Sequence, residues 1–238
     1  MTGVFGSGTT PDLGLYLYPD LLLSIAYLLA NWVAFRLAVR LCRGDGIPVF
    51  TMRKVFHMAT ALLFVPVVLL YRGIFWGVVV SALMVGMNVL GVVRRRRHEL
   101  GRPLPVPELI RPLLFHLAAW LVLLALWLSP VSSRVLVPIL VLGVGDATAA
   151  LVGRRWGRRR LPGFHPGKTV AGMLAGTTAA ALVLVLVTRA GFFGLSAGGW
   201  KEIAPALAVL LEPFLPGQMD NPALMMAAGG LCLLLTAV

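Results

Sequence analysis

The sequence predicts an all-α protein, a polytopic bundle of about seven or eight transmembrane helices. Of its 238 residues, 59% are apolar and 13% are charged, and a soluble domain carries roughly twice that charged share. The apolar residues form long continuous runs, which are typical of membrane helices and not of the alternating strands of a barrel. Basic residues gather in every second connection between these runs. A water-soluble globule is therefore excluded, and residues 1–238 are expected to form a single integral-membrane domain.

Eight apolar runs are candidates for membrane helices, because a bilayer core needs about 20 apolar residues per helix. Six of the runs are clear, namely 18–37, 55–71, 73–93, 113–128, 135–152 and 170–187. In the tail, a polar turn separates a short run, 203–215, from a last run, 223–238. We expect a short seventh helix and an eighth helix there. A re-entrant seventh segment is the alternative.

The basic residues predict the orientation of the bundle. The first, third and fifth connections hold most of the 21 Lys and Arg residues, whereas Arg72 is the only basic residue of the second and Arg134 that of the fourth. Because basic loops stay in the cytoplasm, we expect the N-terminus outside and the odd-numbered connections inside. No basic stretch precedes the first apolar run, so no cleaved signal peptide is predicted. The expectation is a multi-pass protein of the cell (inner) membrane with its active site facing the cytoplasm.

The formal charge of +12 also indicates which binding partners to expect. In so apolar a chain, this charge belongs at membrane edges or around a polyanionic ligand. The lipid bilayer is thus an expected partner, and nucleic acid is not.

Asp146 is the most unusual residue of the chain, because it lies inside an apolar run. An acid at membrane depth is expensive and usually faces a partner, a cavity or an ion; a structural salt bridge to an arginine is the alternative. Glu212, Asp220 and Asn221 flank the break in the tail. Three acids near the inner ends of late helices favour a cation site. Mg²⁺ suits so sparse a set, because it is usually held by one or two carboxylates and substrate phosphates.

Small residues follow Asp146 along one helix face. Gly153 and Gly157 recur at steps of three or four residues, which places them on one side of a helix. Small residues allow the close approach of another backbone or of a ligand phosphate, and helix packing alone explains the glycines equally well. With Asp146 at one end and Arg154 at the other, the face is interpreted as a floor for a polyphosphate.

The next apolar run begins after a Gly-Lys-Thr triplet that ends with Lys168 and Thr169. It is not a P-loop, because only three residues separate Gly163 from the triplet and no strand precedes it. A lysine at the N-terminus of a helix still attracts phosphate, as do the free backbone N–H groups there. Gly172 and Gly176 follow at the spacing of a packing face.

A third cluster opens the second apolar run. Arg53 and His57 lie one helical turn apart, with Lys54 beside them. Basic anchoring at the membrane edge explains Arg53 and Lys54. His57 lies one turn into the apolar run, where a histidine needs a partner such as a phosphate or a hydroxyl. His116, in the fourth run, is interpreted as a hydrogen-bonding residue between helices.

These three clusters resemble the motifs of the membrane-bound CTP-dependent lipid kinase family. That family contains dolichol kinase and phytol kinase and is distantly related to CTP:phosphatidate cytidylyltransferases. The resemblance covers residues 53–221. The matching residues are, in chain order, Arg53, Lys54, His57, Asp146, Ala149, Gly153, Arg154, Gly157, Lys168, Thr169, Gly172, Glu212, Asp220 and Asn221. Two positions that are often acidic in the family are Ala171 and Met219 here.

The resemblance implies transfer of the γ-phosphoryl group of CTP to the hydroxyl of a membrane lipid alcohol, for example phytol, geranylgeraniol or a polyprenol. It implies Mg²⁺ as the cofactor, with Asp146, Asp220 and Glu212 as ligands. Lys168 and Arg154 would neutralise developing charge, which is the main need of phosphoryl transfer.

The remaining matched residues are divided by role. The nucleotide-phosphate contacts are expected from Arg53, Lys54, Gly153, Arg154, Gly157, Lys168, Thr169 and Gly172. His57 or a carboxylate would accept the proton, and Asn221 belongs to the last motif. The choice of CTP over ATP rests on the resemblance alone. The lipid acceptor stays open, because phytol, geranylgeraniol, farnesol, a longer polyprenol and diacylglycerol fit the sequence equally well.

Two other functions stay open. A cytidylyltransferase would make a CDP-lipid from a lipid phosphate with the same metal and basic loops. A transporter would place Asp146 and Glu212 on an ion path, but transporters usually show broken helices in two related halves, and this sequence has one break. The oligomeric state is also open, with a homodimer as one option.

Overall fold

The computed structural model describes residues 13–44, 47–100, 106–129, 132–162, 167–190, 201, 203–214 and 220–237. Over these residues the backbone is helical, apart from connections and a single isolated β-bridge between Arg160 and Thr169. The predicted all-α class is therefore confirmed for the described part of the chain.

The helices follow one another in an order close to that of the apolar runs. The first four are α1 (Leu13–Gly44), α2 (Val49–Leu70), α3 (Phe75–Leu100) and α4 (Val106–Trp127). A composite fifth helix joins a 3₁₀ turn (Ser132–Val135), α5 (Leu136–Leu140), a π-helical segment (Val141–Asp146) and α6 (Ala147–Trp156). The last elements are α7 (Val170–Arg189), a 3₁₀ helix that we call the tail helix (Ala204–Phe214) and α8 (Asp220–Ala237).

Four helices are long and apolar enough to cross a membrane: Tyr18–Leu41, Val49–Leu70, Ser133–Trp156 and Val170–Arg189. Shorter apolar helices occupy Phe75–Met87, Leu113–Trp127, Ala204–Phe214 and Asn221–Leu235. Large apolar side chains such as Leu22, Leu114 and Leu186 lie on the outer surface, where lipid rather than water suits them. These features indicate a membrane protein. The total of seven or eight spans and the outward N-terminus stay predictions.

The composite fifth helix forms the centre of the bundle. Leu136, Leu140, Val141 and Ala147 are fully buried along it. It packs against α2 and α7, and its first half also contacts α8. Its π-helical segment ends with Asp146, and such segments often occur at functional sites.

The tail helix corresponds to the expected short seventh helix, and it is a 3₁₀ helix of 11 residues. Side chains three residues apart eclipse in a 3₁₀ helix, so Ala206, Val209 and Glu212 lie in one row. All three are buried. Val209 packs against the glycine faces of the π-helical segment and α7. Glu212 belongs to the same row, so it also faces the centre of the bundle.

Asp20 links α1 to the connection between α2 and α3. It is 2% exposed, and its carboxylate accepts hydrogen bonds from the backbone N–H groups of Arg72 (3.1 Å) and Gly73 (2.8 Å). One turn further along α1, the Ser24 hydroxyl hydrogen-bonds the Tyr71 hydroxyl at 2.7 Å. These contacts fix α1 against the connection between α2 and α3.

Candidate functional site

Four elements converge on a cavity of about 390 Å³, which we call the basic cavity. They are the start of α2, α6, the start of α7 and the end of the tail helix. Eight of the residues predicted from the sequence line it, namely Arg53, Lys54, Gly153, Arg154, Lys168, Thr169, Gly172 and Glu212. Residues from all three predicted motifs thus meet in one place. The first and fifth connections, both strongly basic, lie at the same end of the bundle.

A cluster of four charged side chains adjoins the basic cavity: Lys54, Lys168 and Glu212 line it, and Asp146, which does not line it, pairs with the two lysines. Asp146 is fully buried; the ammonium nitrogen of Lys54 lies 2.5 Å from its Oδ2 and that of Lys168 lies 3.7 Å from its Oδ1. Lys168 also pairs with Glu212, which is 2% exposed. Two cations thus compensate two buried anions. The alternative prediction for Asp146 is a salt bridge to an arginine. In the structure its ion-pair partners are instead Lys54 and Lys168.

The two carboxylates fit a divalent cation. The carboxyl group of Glu212 lies beside that of Asp146, and the ammonium group of Lys168 lies within ion-pair distance of both. Two carboxylates, with water and substrate phosphates, make a usual site for Mg²⁺. No group of three or more His, Cys, Asp or Glu side chains could hold a metal in the described part of the chain. The side chain of Asp220, the third predicted ligand, lies outside that part.

The backbone around Lys168 is held by local hydrogen bonds. Thr169 is the N-cap of α7, and its hydroxyl accepts the backbone N–H of Gly172 at 3.2 Å. The Lys168 carbonyl accepts the N–H of Leu161 at 2.9 Å, which links the start of α7 to the basic loop after α6. The N-terminal end of α7, with its partial positive charge, therefore lies at the wall of the basic cavity.

The glycines make a close contact between α6 and α7. A Cβ built on Gly172 would lie 2.4 Å from the Ala149 carbonyl oxygen, and one on Gly157 would lie 2.3 Å from the hydroxyl oxygen of Thr169. Gly153 and Gly172 are compatible both with helix packing and with a phosphate contact, because they also line the basic cavity. Gly157 and Gly176 are not among its lining residues, so helix packing accounts for both. A phosphate contact for Gly157 stays a prediction.

His57 and Asn221 lie in a second cavity, which we call the apolar cavity. It has a volume of about 150 Å³ and is lined by residues of α1, α2, α3, α4, α5, the π-helical segment and the start of α8. His116, which was interpreted as a hydrogen-bonding residue between helices, also lines it. Ten of the predicted site residues are therefore divided between two cavities, whereas Asp146 and Gly157 line neither of them.

Phe50 is a site residue that the sequence motifs do not include. Its ring lies in the wall of the basic cavity, with the guanidinium carbon of Arg154 at 4.9 Å from the ring centre and that of Arg53 at 5.8 Å. Cations are attracted to an aromatic face at such distances. The only signal in the sequence is the spacing of Phe50 and Arg53, which places both on one helix face.

The chain matches no model of a known protein family, no curated protein and no solved structure. The function is therefore argued from the arrangement of the residues themselves.

Proposed function

We propose that the protein is a Mg²⁺-dependent lipid alcohol kinase of the CTP-dependent family that the sequence resembles. It would transfer the γ-phosphoryl group of CTP to the hydroxyl of a membrane lipid alcohol at the cytoplasmic face. The observation that carries the proposal is the basic cavity, where two lining lysines pair with two buried carboxylates.

The charges around the cavity suit a nucleoside triphosphate. Arg53, Lys54, Arg154 and Lys168 line it, and a triphosphate has a comparable number of negative charges. Its volume of about 390 Å³ falls in the usual range for small-molecule sites. Phosphoryl transfer asks the protein mainly for alignment and charge neutralisation, and these residues supply both.

Asp146 and Glu212 are the described residues that would hold Mg²⁺. The ion, when bound, neutralises charge on the nucleotide phosphates. Lys54 and Lys168 pair with the same carboxylates, so they are placed to exchange those partners for phosphate oxygens. The carboxylates remain compensated throughout, which matters because an unpaired buried charge is costly.

The proposed step is an in-line displacement. The hydroxyl oxygen of the alcohol attacks the γ-phosphorus, the bond from that phosphorus to the oxygen bridging to the β-phosphate breaks, and CDP leaves with the bond's electrons. The hydroxyl proton goes to a base. His57 and the two buried carboxylates are the candidates for this base. His57 qualifies because it lies one helical turn from Lys54 on α2.

Purified protein in lipid nanodiscs, incubated with γ-labelled CTP, Mg²⁺ and a panel of lipid alcohols, tests the proposal. We expect label in the lipid fraction. Lys168→Ala is expected to reduce it at least a hundredfold, because a cation facing the transferred group is lost. The matched control is Arg189→Ala, which removes an exposed cation at the other end of α7 and should leave the rate unchanged.

Other outcomes would contradict the proposal. Label in pyrophosphate, with a CDP-lipid formed from a lipid phosphate, would identify a cytidylyltransferase. Ion flux through proteoliposomes without any labelled lipid would favour a transporter. Equal activity of the Lys168 and Arg189 variants would show that the basic cavity is not the site.

A further inference from the structure

The apolar cavity contains polar groups that an ordinary core does not need. His57, His116 and Asn221 line it among mainly apolar side chains. Thr60 also lines it, and its hydroxyl oxygen is buried with no hydrogen-bond partner among the described residues. A buried hydroxyl without a partner is unfavourable. The cavity therefore has the composition of a ligand site, which is largely apolar with a few polar groups that orient the ligand.

The apolar cavity lies about one helical turn from the basic cavity. On α2, His57 lines the first and Lys54, three residues earlier, lines the second. On the fifth helix, Gly143 lines the apolar cavity, and Asp146, three residues later, pairs with Lys54. On α2, three residues of α-helix correspond to about 4.5 Å. Two elements thus connect the apolar cavity to the charged residues at the basic cavity, each over three residues.

We propose that the apolar cavity binds the hydroxyl-bearing end of a single-chain lipid alcohol. The hydroxyl would lie at the polar groups, from which the charge cluster of the basic cavity is one turn away. The inference deepens the proposed function and rests on it for the transfer step, whereas binding of the alcohol can be measured without any nucleotide.

The size of the cavity restricts the ligand. A cavity of about 150 Å³ holds a group the size of benzene, or roughly six heavy atoms. This fits a hydroxymethyl group with the rest of its isoprene unit. It does not fit the glycerol backbone of a diacylglycerol with its two ester groups. The rest of a long chain has to leave the cavity, and Met84 and Val85 of α3 form a partly exposed wall through which it can reach the bilayer.

A photoreactive geranylgeraniol analogue, added without nucleotide to the protein in nanodiscs, tests the proposal. We expect crosslinks to α2 or α4 peptides that geranylgeraniol competes away and dioleoylglycerol does not. Ala119→Leu fills the cavity from α4 and should lower the specific crosslinking at least tenfold. The matched control is Ala125→Leu, on an exposed position of the same helix, which should leave crosslinking unchanged.

A second variant keeps the test decisive if Ala119→Leu does not fold. Thr60→Val preserves the shape of the side chain and removes only the hydroxyl. We expect it to weaken the competition by geranylgeraniol about fivefold, as the loss of one hydrogen bond would, with no change for the matching hydrocarbon. Competition by dioleoylglycerol, equal labelling of Ala119→Leu and Ala125→Leu, or crosslinks confined to the outer surface would overturn the inference. Alcohol binding without transfer from CTP would leave it standing and reject the kinase proposal instead.

Discussion

The buried pair of Lys54 and Asp146 allows a structural role to be separated from a catalytic one. With Lys168 and Glu212, the cluster contains two positive and two negative charges. Asp146→Asn leaves one excess positive charge in a buried place, and Lys54→Met leaves one excess negative charge. The double variant is neutral again, because the pair between Lys168 and Glu212 remains. The two single variants should therefore be less stable than the double variant.

The size of the effect follows from burial. Lys54 is 7% exposed and Asp146 is fully buried, and removal of one partner from a buried ion pair costs about 3–5 kcal/mol. In a chain of this length, 1 kcal/mol lowers Tm by about 2–4 °C. Each single variant should therefore lose on the order of 10 °C. The double variant should recover most of this, which is a large coupling energy for neighbouring residues.

Thermal unfolding in nanodiscs and transfer from γ-labelled CTP would be measured on all four proteins. All three variants are expected to be inactive, because each lacks a charge that the proposed transfer would require. Arg72→Met, which removes an exposed cation at the other end of the bundle, is the control for both measurements. If the double variant regained activity along with stability, Asp146 would be a structural residue and the proposed metal site would be refuted. Additive losses of stability would show that the two side chains do not interact.

Three further predictions concern the packing and the second carboxylate. Gly172→Ala should destabilise the protein by several kcal/mol and abolish activity, because its Cβ would meet a backbone carbonyl of α6 at 2.4 Å. Gly230→Ala, on a helix position with nothing within 4 Å, should instead be neutral or stabilising by up to about 1 kcal/mol. Asp20→Ala removes the acceptor of two backbone N–H groups and should cost about 1–3 kcal/mol, while kcat per folded molecule stays unchanged because the residue lies far from the basic cavity; a changed kcat would contradict this separation. Glu212→Gln should raise the Mg²⁺ concentration needed for half-maximal activity at least tenfold, measured by Mg²⁺ titration, and an unchanged titration would exclude it as a ligand.

Much of the fold follows from the sequence, because apolar runs of membrane length have few alternatives to a helix. Part of the basic cavity could be predicted from the sequence, because several of its residues lie near the starts of helices. Lys168 and Thr169 precede a helix whose cap is encoded in their own neighbourhood, and Arg53 and Lys54 lie close to the start of α2. Spacing along the chain identifies such helix starts without knowledge of the tertiary structure.

The partners of the charged residues could not be predicted in the same way. That Asp146 faces Lys54, and not an arginine, depends on how α2 is rotated against the fifth helix. The position of Glu212 depends on a 3₁₀ period, and the short apolar run of the tail gives no sign of that period. Phe50 contacts Arg154, and Asp20 accepts hydrogen bonds from the backbone after α2. These partners are distant in sequence, so neither residue belongs to a recognisable local motif.

The π-helical segment sets the angular relation between the two halves of the fifth helix. Each residue of an α-helix advances it by about 100°, so a one-residue deletion between Val141 and Asp146 would rotate one half against the other by about that angle. The half that packs on α8 would keep its contacts only if the half bearing Gly153 and Arg154 turned away from α7. Insertions and deletions should therefore be tolerated in the loops of this protein but not within these six residues.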